Sequence, residues 1–309
     1  MAAAASALAR QNLYIGTSSW KYPGWIGSVY DEQRYLWRGK VAQSRFDEHC
    51  LEEYATVFKS VGVDAGYYRF PDPRFLQRLA AQVPDDFRFS FKVTEDITIR
   101  RFPNMSRHGS RAGQDNPDFL NADLFVNAFL APCAEIREKI GVLMFEFSRF
   151  HPGQFSRGAE FVERLDAFFE AIPKQGWQYG VEIRNPNLLH PTYFETLRKH
   201  GVTHVFNNWE RMPSVAEQRQ IPGSATTDFF AARFLLKPGR RYAEAVGSFE
   251  PYDRVVETNP EAREAGAGLL REGPRKRRSF LYVNNRLEGN APATLQAMLE
   301  LAGWLPGRG

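Results

Sequence analysis

The chain has 309 residues, 43% of them hydrophobic and 25% charged, which is enough apolar material for a large core and excludes a disordered polymer. Forty Lys and Arg against 36 Asp and Glu leave a net charge of +4, a small excess for a dedicated nucleic-acid binder. Two cysteines, Cys50 and Cys133, make neither a disulfide framework nor a zinc-ligand spacing, and no apolar run approaches the ~18 residues of a membrane span. A cytoplasmic protein with no membrane association is expected, its oligomeric state open. The Ala-rich start, residues 1–10, lacks the basic region and apolar core of a signal peptide and is expected as a disordered tail.

Residues 13–17 form a short apolar strand that runs into W-K-Y-P-G-W, where Pro23 and Gly24 impose a loop. Phe46, Cys50, Tyr54, Val57 and Val61 recur at helical spacing and predict a helix over 47–59, followed by a second strand at 63–69. A short helix at 75–83 leads to a third strand, 87–93, ending near Lys92. Residues 94–118, rich in Arg, Asn and Gly, are a long connection of the kind that is usually functional or disordered. A helix over 119–139 precedes a fourth strand at 141–147, containing Glu146, and a helix at 158–171 precedes a fifth strand at 179–184.

In that fifth strand the period of two sends Gly180, Glu182 and Arg184 to one face, and Asn185-Pro186 ends it. Two opposite charges on one face of a buried strand cost several kcal/mol, on the order of a lost ion pair, unless they pair or bind something. Further elements are a helix at 193–200, a sixth strand at 202–207, a weak seventh at 233–237 and an eighth at 281–284. Residues 238–279 are read as an irregular insertion ending in the basic run 271–278. Asn290 caps a last helix opening at Ala291-Pro292. Strands alternating with helices eight times predict an α/β protein, a (β/α)8 TIM barrel of one domain over 11–309 with extended βα loops.

Four stretches carry a resemblance: I-G-T-S-S-W-K-Y-P-G-W-I-G at 15–27, F-K-V-T-E-D-I-T at 91–98, V-E-I-R-N-P-N at 181–187 and Y-V-N-N-R-L-E-G-N-A-P at 282–292. In this order they resemble the domain-of-unknown-function 72 family, also called YecE-like proteins. The resemblance implies a TIM barrel without an established reaction. It also implies a Glu and an Asn after the first helix, where Gly62 and Asp64 stand here, and a His-Gly after the seventh strand, where only Arg233 carries over.

In such barrels the active site lies at the C-terminal strand ends. Glu182, Glu146 and Lys92 are therefore the catalytic candidates, the two carboxylates as an acid and base pair whose pKa values Lys92 and Arg184 tune apart. The alternative is an ion-pair network filling the top layer of the barrel. Trp20, Tyr22, Trp25, Asp64, Arg184, Asn185, Asn207, Arg233, Asn284, Asn285 and Asn290 are the substrate-binding candidates. The aromatics offer stacking walls, and the cations and the Asn290 helix start offer an anion site. No His-x-His or His-Glu-x-x-His spacing occurs, so no metal or cofactor is expected, His151 with Glu146 and Glu182 being the best available trio. Two functions stay open: an enzyme of hydrolase or isomerase type acting on a phosphate-bearing or polyhydroxylated small molecule, or a non-catalytic barrel binding nucleic acid or another anionic ligand.

Overall fold

A computed structural model describes residues 1–272 and 277–307. Eight short strands, each apolar enough to be covered on both faces, are β1 Leu13–Thr17, β2 Ser60–Val63, β3 Arg88–Lys92, β4 Ile140–Phe147, β5 Gln178–Ile183, β6 Thr203–Asn208, β7 Ala231–Phe234 and β8 Ser279–Val283. All pair in parallel around a closed ring in the order β1, β8, β7, β6, β5, β4, β3, β2. Closure is the pairing of β1 with β8 from Leu13↔Ser279 to Thr17↔Val283, and with β2 at Gly16↔Ser60. At that seam a Cβ on Gly16 would stand 1.9 Å from the Ser60 carbonyl oxygen, so only glycine lets the two strands meet. The helices wrap the outside, with rings such as Phe125, Phe145, Phe168 and Tyr179 packed edge to face between helix and strand.

The barrel interior is filled in layers. Tyr14, Val142, Met144, Val205, Phe280 and Tyr282 form an apolar plug, and within it the Tyr282 hydroxyl meets Ser60 Oγ and Ser90 Oγ at 2.6 Å each. This closed polar triad satisfies the groups that three strands bury. Above the plug, at the C-terminal ends, the interior turns charged.

Three expectations are corrected. Residues 1–10 are not a disordered tail: Ala2–Ala9 is a helix, Ala being the strongest helix former, and it buries Ala4, Ala5 and Leu8 below β1. The second strand ends at Val63, and Ala65–Tyr68 is a helical turn instead of strand. A Cβ on Gly66 would lie 3.0 Å from the Lys92 carbonyl oxygen, so the chain turns here against β3. The 238–279 segment holds two helices, Tyr242–Phe249 and Pro260–Arg271, the second opened by Asn259 as side-chain cap and Pro260 as first residue. Of the basic run, residues 273–276 lie outside the described residues. Its described ends, Arg271, Arg277 and Arg278, sit where the chain enters β8, the end of the barrel opposite the C-terminal mouth.

The 94–118 connection is ordered by its own polar groups. Asn116 is buried and donates to the carbonyls of Asp96 at 2.7 Å and Ile99 at 2.8 Å, tying the two ends of the segment together. The segment between them leans over the mouth.

Candidate functional site: the charged mouth of the barrel

Strand register dictates the problem this site solves. Glu146 on β4 and Glu182 on β5 are direct partners across the two strands, so two buried carboxylates stand side by side. Like charges so placed repel, and burial leaves them little water to screen that repulsion. Three cations resolve it. Lys92, ending β3, places Nζ 2.7 Å from Glu146 Oε2 and 3.4 Å from Asp64 Oδ1. Arg184, just past β5, puts Nη2 2.8 Å from Glu146 Oε2 and 3.0 Å from Glu182 Oε1. Arg233 on β7, 2% exposed, donates from Nη1 to Glu182 Oε2 at 2.5 Å and lies 3.6 Å from Asp64 through Nη2. Three carboxylates and three cations thus close a balanced lattice across five strand ends. Asp64 supplies the third carboxylate, two residues beyond Gly62, where the family pattern has its Glu.

The electrostatics follow from the geometry. Burial alone would push the Glu146 carboxyl up, but Arg184, Lys92 and Arg233 outweigh it and hold the group down at about 2. Burial also works against the charge on Arg184 and Arg233, and the glutamates reverse this and raise both above the ordinary guanidinium range. At neutral pH Glu146 is therefore an anion and has no proton to donate at rest. Burial pushes the Tyr22 phenol up to about 12, so it stays neutral.

Above this floor opens a cleft of about 830 Å³, large enough for a small-molecule ligand. Its walls are aromatic and guanidinium groups in pairs. The Arg184 guanidinium carbon sits over the Trp209 ring at 3.8 Å from its centroid, that of Arg286 over Tyr242 at 4.6 Å and that of Arg107 over Tyr68 at 5.1 Å. Arg149 and Arg286 also line the cleft, and neither has a carboxylate within ion-pair distance among the described residues.

Of the sequence-derived candidates, Tyr22, Asp64, Lys92, Glu146, Arg184 and Arg233 line this one cleft. Glu182 points inward as the period of two requires, but it is fully buried beneath the floor. The others are elsewhere. Trp25 is buried between the rings of Tyr30 and Tyr54, and Trp20 is buried beside a different cleft on the outer side of the rim. The asparagines bond to the backbone. Asn207 donates to the carbonyls of Ile183 and Val205. Asn284 accepts from Arg286 N–H at 2.9 Å, and Asn285 accepts from Ala291 N–H at 2.8 Å. Asn290 accepts from Ala293 N–H at 2.9 Å, so the start of the last helix, Ala291–Leu301, is capped by the chain itself and does not offer those groups to an anion. Asn185 lines a neighbouring cleft. No group of three or more His, Cys, Asp or Glu is placed to hold a metal ion among the described residues, and His151 lies on an exposed loop.

Arg149, Arg286 and Arg107 escaped the sequence reading. The first two carry a usable signal, standing two and three residues past the ends of β4 and β8, where side chains still reach the mouth. Arg107 had none, because the fold of the 94–118 connection brings it there.

Comparison with known proteins places the molecule. The sequence model described as protein of unknown function DUF72 matches residues 14–307. The UPF0759 protein YecE of Escherichia coli K12 is 27% identical over 174 residues, 56% of this chain and 49% of that protein, so the alignment spans about half the length of the curated relative. Two crystal structures share the fold. The DUF72 family protein EF0366 of Enterococcus faecalis V583 superposes with a TM-score of 0.60 at 18% identity, covering 96% of this chain and 99% of that one. The DUF72 family protein TM1631 of Thermotoga maritima MSB8 gives 0.56 at 21% identity, covering 93% and 96%.

Proposed function

The chain belongs to the DUF72 family, whose function is unknown, and on that premise we propose that its barrel mouth binds a small phosphate-bearing or polyhydroxylated ligand and acts on it by proton transfer to Glu146. The observation that carries this reading is the charge of the opening. The floor is balanced, while Arg149 and Arg286 above it have no carboxylate partner among the described residues. An incoming anion meets uncompensated positive charge in a concave site with low-dielectric walls, where attraction exceeds that in bulk water.

The same geometry supports a way to switch the carboxylate on. Glu146 is too acidic at rest to take a proton at neutral pH. An anion that draws Lys92 and Arg184 toward itself weakens the charges that hold Glu146 down, and burial then raises its pKa. The base is created by loading the site. Lys92, between Asp64 and Glu146, is the cation best placed to move.

The second reading is a barrel that binds an anion, nucleic acid included, without chemistry. It is favoured by the closure of Glu146 and Glu182 in ion pairs. Calorimetric titration with inorganic phosphate, a sugar phosphate, its unphosphorylated sugar and a short oligonucleotide, at low and high salt, tests what the two share. Salt-sensitive phosphate binding that weakens about tenfold or more in Arg286→Gln is the expected result. Binding unchanged by salt and by Arg286→Gln sinks the anion site. Turnover of a ligand so found, lost in Glu146→Gln with binding retained, separates the enzyme from the binding barrel.

A further inference from the structure

Next to the mouth, between the 148–158 loop that leaves β4 and the turn Pro186–Leu188 that leaves β5, is a second cleft of about 720 Å³. Arg149, Phe150, His151 and Arg184 line both clefts and form the septum between them. The septum is built. Asn185, buried, accepts from the Phe150 N–H at 2.8 Å and donates to the Ser148 carbonyl at 3.2 Å, so the loop is fixed to the end of the neighbouring strand.

The charge of this cleft differs from that of the mouth. Arg149, Arg157, Arg184, Arg211 and His151 line it, and no Asp or Glu does among the described residues. Arg157 is held by Glu163 at 2.6 Å and Arg184 by the glutamates of the floor. Arg149 and Arg211 have no carboxylate at ion-pair distance among the described residues. Cations gathered around a concavity that the protein leaves unneutralised repel one another until an anion enters. Phe155, Phe161 and Leu188 give the cleft an apolar back wall, which lowers the local dielectric and strengthens that attraction.

We infer that this cleft is a second anion subsite, and that the ligand of the barrel is a small molecule with two anionic groups, one above the Lys92–Glu146 floor and one at Arg211, bridging the Arg149 septum. The inference rests on the reading of the mouth as an anion site. It goes further in naming the ligand class. Linking the two groups makes the second binding event intramolecular, so a two-anion ligand gains over a one-anion ligand without new contacts elsewhere.

The experiment is calorimetry on the full chain with inorganic phosphate, fructose 6-phosphate and fructose 1,6-bisphosphate at low and high salt, in wild type, Arg211→Gln and Arg286→Gln. Arg211 is exposed and does not line the mouth, so its replacement leaves the fold and the first subsite in place. Wild type should bind the bisphosphate at least about tenfold more tightly than the monophosphate. Arg211→Gln should erase that advantage while changing monophosphate affinity by less than about twofold, and Arg286→Gln should weaken both ligands. Equal affinities in wild type, or an advantage that survives Arg211→Gln, overturns the second subsite and leaves the mouth reading intact. Absence of salt-sensitive binding by all three probes overturns both.

Discussion

Glu182 shows how little a buried charge reveals about its role until its partners are known. It is fully buried, and its two oxygens are taken by Arg184 and by Arg233, itself 2% exposed. Glu182→Gln would leave Arg233 enclosed in the barrel with its nearest counter-charge gone, and removing one partner of a buried pair costs about 3–5 kcal/mol. Urea denaturation should show a loss of that size, whereas Arg286→Gln at the rim should cost less than about 1 kcal/mol. A Glu182→Gln protein as stable as wild type would mean that the lattice does not hold Arg233. Glu182 is thus read as the residue that positions Arg184 and Arg233, with Glu146 the carboxylate that lines the cleft.

At the level of elements, the strands deliver the charges and the caps keep the loops out of the way. The helix Ala291–Leu301 begins with Asn290, whose side chain accepts from Ala293 N–H and donates to the Tyr252 carbonyl at 2.9 Å. One residue therefore starts the last helix and anchors the loop that carries Tyr252 against Tyr22 at the mouth. Asn290→Ala should lower stability by about 1–2 kcal/mol, the range for a lost cap, and should leave phosphate affinity within about twofold, since the helix start is already occupied. A large loss of phosphate affinity with stability unchanged would return the helix N-terminus to the list of ligand groups. The turn at Ala65–Tyr68 is the other element that matters. Read as strand, it would have put Tyr67 and Tyr68 on the barrel wall; as a helical turn it leaves Asp64 at the strand end and both tyrosines along the cleft.

For the molecule as a whole, the lattice couples folding to pH. The Glu146 carboxyl lies below its ordinary value of 4.5, at about 2 in the folded state. The sign is that of a depressed acid: its contribution to stability is full above the unfolded pKa and is lost as pH falls through the folded one. Urea midpoints of the wild type should therefore drop between about pH 4.5 and about 2. Glu146→Gln, weaker at neutral pH because Lys92 and Arg184 lose a partner, should show a shallower drop across the same window. Parallel pH profiles for the two proteins would remove Glu146 from the set of groups that stabilise the fold. No helix of the described residues is long and apolar enough to cross a membrane.

Alternation of apolar strands with amphipathic helices, the Pro and Gly punctuation between them and the period of two through Glu182 and Arg184 are local properties. They determined the eight-stranded barrel, its closing strands and the inward face of the fifth strand directly from the sequence. What the sequence could not decide is who partners whom. Arg233 is 51 residues from Glu182 and Lys92 is 54 from Glu146, and only the closed ring and its register bring them within hydrogen-bond reach. The asparagines near the strand ends read as ligand groups because spacing does not show whether a side chain faces a cavity or a neighbouring backbone N–H. Ala2–Ala9 read as a tail because helix propensity alone does not hold a helix of 8 residues; burial below the first strand does. Whether a charge is a catalyst, a binder or a strut depends on pairing and desolvation, and both are properties of the folded barrel.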